Sequence, residues 1–216
     1  MEGHVIFGVS PFNTKFSNDY VHKMLEWGFN NYNFVDVIHP FEEAKYLLMG
    51  CGTEENKARK KSRKEYYRIQ RYVESFLKSS GYRLRFGRII KFEDFYESDE
   101  YIKAYNLIKD EYYKFEDFRK ICLEQSFKAI KKRKSSVGDY SDIDHNLLDV
   151  SVEYILKEVP FIIRADKILL STSRISISYY DHWNVADYLY NSCRNLKPSK
   201  KSSLAIKNHE ISEGVI

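Results

Sequence analysis

The sequence predicts an α/β fold with a mainly parallel central sheet flanked by helices, and three observations carry that expectation. Val5-Ile6-Phe7-Gly8-Val9 is a short apolar run rich in β-formers and closed by Ser10-Pro11, which reads as a buried strand followed by a turn. Asn33-Phe34-Val35-Asp36-Val37-Ile38 is a second such run, ended by His39-Pro40. Between them, Phe16-Ser17-Asn18-Asp19 offers helix caps, and Tyr20, Met24 and Trp27 continue at helical spacing until Gly28. Strand, helix and strand in this order open a βαβ unit, and a crossover of that length favours a parallel pair. In such sheets ligands bind beyond the carboxyl ends of the strands, so Ser10 has a position suited to chemistry. Gly8 would leave room beside that serine for a substrate, and Pro11 bars a regular continuation of the strand.

Composition narrows the class. With 216 residues, 43% hydrophobic and 31% charged, and with 18 Tyr and 14 Phe, the chain can bury one well-formed core and is not a disordered protein. We expect a single domain over residues 1–196 and a disordered tail over 197–216, where Ser, Lys and Glu follow Lys197-Pro198 without periodicity. A net charge of +4 is too mild to identify a polyanion partner, so the placement of the charge must decide. Cys51, Cys122 and Cys193 are far apart with no CxxC or Cys/His pairing, which fits a reducing, cytoplasmic compartment. Nothing approaches the roughly twenty apolar residues of a membrane span, so no membrane partner is expected. The six histidines lack ligand spacing, so no metal is expected either.

The clearest helix runs from Glu54 to about Ser79, where Tyr66, Ile69, Val73, Phe76 and Leu77 form one apolar stripe before Gly81. Its other face is basic. Lys57, Arg59, Lys60, Lys61, Arg63 and Lys64 are followed by Arg68 and Arg71, with no carboxylate between Lys57 and Lys64, a footprint for a phosphate backbone. Tyr82-Arg83-Leu84-Arg85-Phe86 alternates as a strand that Ile89-Ile90 would extend. From Glu100 to Lys134 apolar residues at helical spacing predict two helices broken near Lys114 to Asp117, ending in the basic cluster Lys131-Lys132-Arg133-Lys134 and a Ser135-Ser136-Val137-Gly138 loop. A helix capped by Asp142 or Asp144 runs to Pro160 and carries Tyr154 and Glu158 four residues apart on one face. Lys167-Ile168-Leu169-Leu170 and Ile175 to Tyr180 read as strands, and Val185 to Cys193 as a closing helix.

Three of these segments together resemble one family, the cyclodipeptide synthases. His4-Val5-Ile6-Phe7-Gly8-Val9-Ser10 is similar to the family's His-x-aliphatic-aliphatic-Gly-aliphatic-Ser signature, with Phe7 in an aliphatic position. Tyr154-Ile155-Leu156-Lys157-Glu158-Val159-Pro160 fits its Tyr-aliphatic-x-x-Glu-aliphatic-Pro signature throughout, and the basic helix from Ala58 to Lys64 is similar to the one on which the family holds tRNA. The resemblance covers residues 4 to 195. It implies a Rossmann-like domain similar to the catalytic domain of class Ic aminoacyl-tRNA synthetases. It implies an enzyme that joins the aminoacyl groups of two aminoacyl-tRNAs into a cyclic dipeptide, with no ATP and no cofactor.

On that resemblance Ser10 is the nucleophile, Tyr154 and Glu158 hold the substrate amino group, Tyr179 is the family's late tyrosine with Tyr180 as its rival, and Asn13 matches a residue of one subfamily. Strand placement makes Ile6, Val35, Phe161 and Ile177 candidates for an apolar side-chain pocket, though each serves equally as core. Two other classes stay open. A noncatalytic RNA-binding protein would use the Lys57 to Arg71 face alone and ignore whether tRNA is charged. A serine hydrolase would act on small esters, but the chain has no G-x-S-x-G elbow.

Overall fold

The computed structural model describes residues 3–82, 87–134, 139–180, 183–193 and 196–204. Strands β1 (His4–Gly8), β2 (Phe34–Ile38), β3 (Gly87–Ile90), β4 (Ile175–Tyr179) and β5 (Ser202–Leu204) form one sheet in the order β3-β2-β1-β4-β5. Every pairing in it is parallel. The helices are α1 (Asn18–Asn31), α2 (Lys45–Gly50), α3 (Glu55–Ser80), α4 (Asp99–Lys114), α5 (Glu116–Lys131), α6 (His145–Ile163), α7 (Ala165–Ile168) and α8 (Asn184–Asn191).

The pleat of β1 distributes its side chains between two cores. Val5, Phe7 and Val9 join Val35 and Val37 under α1 and α3, with Met24, Leu25, Ile69 and Val73. Ile6 points the other way with Ile38 and Ile177, into the core formed with α4, α6 and α8. Ser10 shares the parity of Ile6 and Gly8 and therefore belongs to the α6 side. The sheet order reverses between β1 and β4, where β1 has Gly8 in register with Ile38 on one side and Tyr179 on the other. That is the switch point at which an open parallel sheet leaves a crevice. At the opposite end of β1, His4 Nε2 meets Asp36 Oδ2 at 2.9 Å, and Arg88 Nε reaches the same oxygen at 3.2 Å. His4 thus ties the amino ends of β1 and β2 together, about 20 Å of strand away from Ser10.

Most helix boundaries agree with their caps. Ser17 accepts the Tyr20 N–H at the start of α1, Glu54 accepts two N–H groups at the start of α3, and Asp144 caps α6. Gly81 closes α3 with φ at +72°.

Several expectations need correction. Helix α1 does not stop at Gly28 but runs past it, because the missing side chain lets the helix approach the sheet: a Cβ there would lie 2.8 Å from the Phe7 ring. Pro160 does not end α6, which continues to Ile163 because Phe161, Ile162 and Ile163 are all anchored in the core. Lys167 to Leu170 is not a strand. Its first residues complete α7, and Leu170, 87% exposed with φ at +53°, turns the chain away. A run of three apolar residues carries too little periodicity to separate the two states. The tail expected from residue 197 instead supplies β5, a three-residue edge strand whose Ser-Ser-Leu sequence has no β-branched signal. Of the strand read from Tyr82, the extension at Ile89-Ile90 lies in β3. Residues 83–86, the loop expected over 135–138 and the end of the expected tail, 205–216, lie outside the described residues.

Candidate active site

A pocket of about 770 Å³ opens at the switch point. Ser10, exposed at the end of β1, stands on one wall; Tyr154 and Glu158 from α6 and Tyr179 from the end of β4 stand opposite. Four residues bring Tyr154 and Glu158 onto one face of α6, and strand pairing brings Tyr179 to the same place. Both tyrosine hydroxyls donate hydrogen bonds to the Glu158 carboxylate. The carboxylate is 7% exposed and Tyr154 8%. Burial pushes Glu158 up to about 7, against the pull of the two hydroxyl donors. Burial, with the neighbouring carboxylate, raises both tyrosines well above their ordinary value, so they remain donors at any physiological pH. No lysine or arginine contact to Glu158 is present among the described residues. A buried carboxylate with only neutral partners is an open position for a cation.

Tyr179, not Tyr180, reaches Glu158. Tyr180 also lines the pocket, but its ring packs edge-on against Phe16 and Tyr20. The space beside Gly8 is not left for substrate: a Cβ built there would overlap the Tyr179 ring. The glycine therefore admits the tyrosine, and the tyrosine meets the glutamate.

Asn13 lines the pocket rim, where its Oδ1 accepts the Lys15 N–H at 3.0 Å and its carbonyl accepts the Phe16 N–H at 3.2 Å, folding the loop after Ser10. Ile6, Val35, Phe161 and Ile177 line no part of the pocket. They are 1–3% exposed and lie in the two cores, Phe161 against Phe92 at 5.1 Å. Mid-strand side chains are covered by helices, whereas the pocket forms above the strand ends. Its apolar lining comes from Phe12, Leu47, Ala129, Ile155 and Trp183. Of these, Ile155 was within reach of sequence reasoning as the neighbour of Tyr154; Leu47 and Ala129 give no signal apart from the fold. Neither His4 nor His39 serves the pocket as a base. His39 is fully buried, its Nδ1 is bonded to the Pro40 carbonyl at 2.7 Å, and burial pushes it down to about 4.

The basic face of α3 is only partly free. Arg59 and Arg63 pair with Glu42, Arg59 also with Glu55, and Arg68 with Glu65. These carboxylates lie outside the Lys57 to Lys64 window, so the cation run is less one-sided than its sequence implies. Lys57, Lys60, Lys61, Lys64 and Arg71 make no ion pair among the described residues, and all five are exposed. A second hollow of about 490 Å³ lies beside the first, lined by Lys61, Lys64, Arg68, Arg71 and Arg133, with Phe12 and Arg133 shared between the two. Among the described residues no cluster of His, Cys, Asp and Glu could hold a metal, and no helix is long and apolar enough to cross a membrane.

Comparison with known proteins agrees with this geometry. The family model for cyclodipeptide synthase matches residues 1–208. A cyclo(L-leucyl-L-leucyl) synthase of Photorhabdus laumondii is 31% identical over 94% of this chain and 87% of that protein. The crystal structure of a cyclodipeptide synthase from Bacillus thermoamylovorans superposes with a TM-score of 0.82 at 33% identity, over 93% of this chain and 86% of that one. A Mycobacterium tuberculosis structure, described as relating cyclodipeptide synthetases to type I tRNA synthetases, matches the fold with a TM-score of 0.78 at 20% identity, over 94% and 84%. The sheet order, the pocket at its switch point and these likenesses lead to one conclusion: the chain belongs to the cyclodipeptide synthase family.

Proposed function

We propose that this cyclodipeptide synthase takes two aminoacyl-tRNAs in turn and passes their aminoacyl groups through Ser10. The observation that carries the reading is the buried Glu158 carboxylate held between the Tyr154 and Tyr179 hydroxyls in the pocket that Ser10 faces. An aminoacyl ester brings a carbonyl for the serine and an α-ammonium for the carboxylate, and the pocket presents both partners.

In the first step the Ser10 hydroxyl attacks the ester carbonyl. The bond to the tRNA ribose oxygen breaks, the tRNA leaves with the proton, and an aminoacyl-serine ester remains. Glu158 binds the α-ammonium through a charge-assisted hydrogen bond, with Tyr154 and Tyr179 fixing the carboxylate. The bound cation favours the ionised carboxylate that burial alone disfavours. In the second step the amine of the aminoacyl-enzyme must lose a proton to attack the second ester, and a carboxylate near 7 is matched to that transfer. The second tRNA leaves, giving a dipeptidyl-enzyme. Its terminal amine then attacks the Ser10 ester, releasing the cyclic dipeptide and the free serine.

We infer leucyl-tRNA as the substrate and cyclo(Leu-Leu) as the product, from the apolar lining by Leu47, Ala129 and Ile155 and from the product named for the Photorhabdus relative. The unpaired lysines of α3 give the tRNA a phosphate-binding face continuous with the second hollow. Mass spectrometry of medium from a bacterial host expressing wild type or Ser10→Ala tests the proposal. Cyclic dipeptides of leucine should appear with the wild type alone; their absence from a host making folded wild-type protein, together with no turnover of leucyl-tRNA in vitro, would overturn it.

A further inference from the structure

The loop that carries Ser10 is held in an unfavourable shape, and the hold comes from the basic helix. Phe12, two residues after the serine, has φ at +61°, a left-handed conformation that a residue with a Cβ seldom adopts. Its N–H donates to Glu65 Oε1 of α3 at 2.9 Å. Glu65 is 9% exposed and is itself gripped by Arg68, whose Nε and Nη2 donate to its two oxygens at 2.8 and 2.7 Å. Arg68 Nη1 donates to the Phe16 carbonyl at 2.8 Å, so one carboxylate and one guanidinium fasten the loop at both ends. From the other side Arg133 donates to the Pro11 carbonyl at 2.9 Å. Burial alone would push the Glu65 carboxyl up, but the Arg68 pair and the Phe12 N–H together hold it below the ordinary value.

We propose that Glu65 is a positioning residue for the nucleophile: by fixing the Phe12 N–H it keeps the Ser10 loop in the strained shape that aims the hydroxyl into the pocket. It touches neither the reacting atoms nor the amino group. Because Glu65, Arg68 and Phe12 also line the second hollow, the hold on the serine is built into the wall of the surface assigned to tRNA. The proposal rests on the aminoacyl transfer to Ser10 described above.

The test is single-turnover transfer from in vitro charged leucyl-tRNA to the wild type, Glu65→Ala and Glu65→Gln, with melting temperatures recorded. Leucyl-tRNA affinity is measured separately in a Ser10→Ala background. Glu65→Ala should slow acyl transfer at saturating leucyl-tRNA by about tenfold to a hundredfold, as expected for a misplaced nucleophile, whatever change the released Arg68 makes in the dissociation constant. Glu65→Gln keeps an amide oxygen for the Phe12 N–H and should restore the rate to within about threefold of the wild type. An unchanged rate in Glu65→Ala, a defect confined to affinity, or a Gln variant as slow as the Ala variant would overturn the proposal. A wild type that forms no aminoacyl-enzyme speaks against the proposed function instead.

Discussion

Glu158→Gln should make the protein more stable at alkaline pH while abolishing product. The carboxyl lies in the folded state near 7, against 4.5 as its ordinary value, and burial is the main cause. A group that binds its proton more tightly when folded supports folding fully below about pH 4.5, and that support is lost as pH rises through about 7. The difference in pKa, at about 1.4 kcal/mol per pH unit, amounts to about 3 kcal/mol. The Gln side chain is neutral throughout and can still accept a hydroxyl hydrogen bond, so it should carry no such dependence. Urea unfolding of the two proteins from pH 4.5 to 8.5 is the assay. The wild type should lose about 3 kcal/mol relative to the variant across that range, equivalent to a relative drop of about 6–12 °C in Tm for a chain of this size. Parallel stability curves would refute the reasoning and mean that the carboxylate is paired or hydrated when folded. The same comparison links energetics to chemistry, since the destabilised carboxylate is the group proposed to capture the substrate ammonium.

Gly8→Ala should cost about 1–3 kcal/mol because the new methyl meets the Tyr179 ring. In a thermal double-mutant cycle that penalty should shrink below about 0.5 kcal/mol once Tyr179 is alanine; a penalty independent of residue 179 would refute the clash. Lys64→Ala should lower the salt slope of tRNA binding by about 1, as for a lost phosphate contact. Arg63→Ala should lower it less, because Glu42 already holds that guanidinium. Filter binding over a salt series reads both, and equal slopes would show that the Glu42 pair does not withhold Arg63 from RNA.

Much of the fold was legible because the apolar periodicities of β1, α1, α3 and α6 are long or are punctuated by caps such as Ser17, Glu54 and Asp144. Motif and helix spacing singled out Ser10, Tyr154, Glu158 and Tyr179, which line one pocket after folding, and the sheet register explains why it is Tyr179 that reaches Glu158. What failed was local evidence with a tertiary competitor. Gly28 and Pro160 are strong stop signals, but close packing on the sheet at one and a buried final turn at the other outweighed them. The pocket lining failed for another reason. Ile6 and Ile177 are apolar residues on strands that lead to the pocket, and nothing in their sequence distinguishes a side chain under the crevice from one inside it. Arg59 and Arg63 looked unpaired because Glu42, far along the chain, is adjacent only after folding.

The departures from local preference gather at one place in the molecule. Phe12 is left-handed, Glu158 is a buried carboxylate without a cationic partner among the described residues, Pro160 stands inside a helix, and Gly8 yields its side-chain space to a tyrosine. All four border the carboxyl ends of β1 and β4 or the helix that faces them. Each conflicts with what its own neighbours in sequence favour, and such conflicts persist only where the surroundings over-determine them. Here those surroundings are the parallel register that delivers Tyr179, the buried end of α6, and the Glu65–Arg68 pair on α3. The sheet and helices are therefore more than a frame for the pocket. They supply the free energy that keeps a serine loop bent and a carboxylate without a cationic partner among the described residues, and on the proposed function a substrate ammonium would relieve the second of these strains on binding.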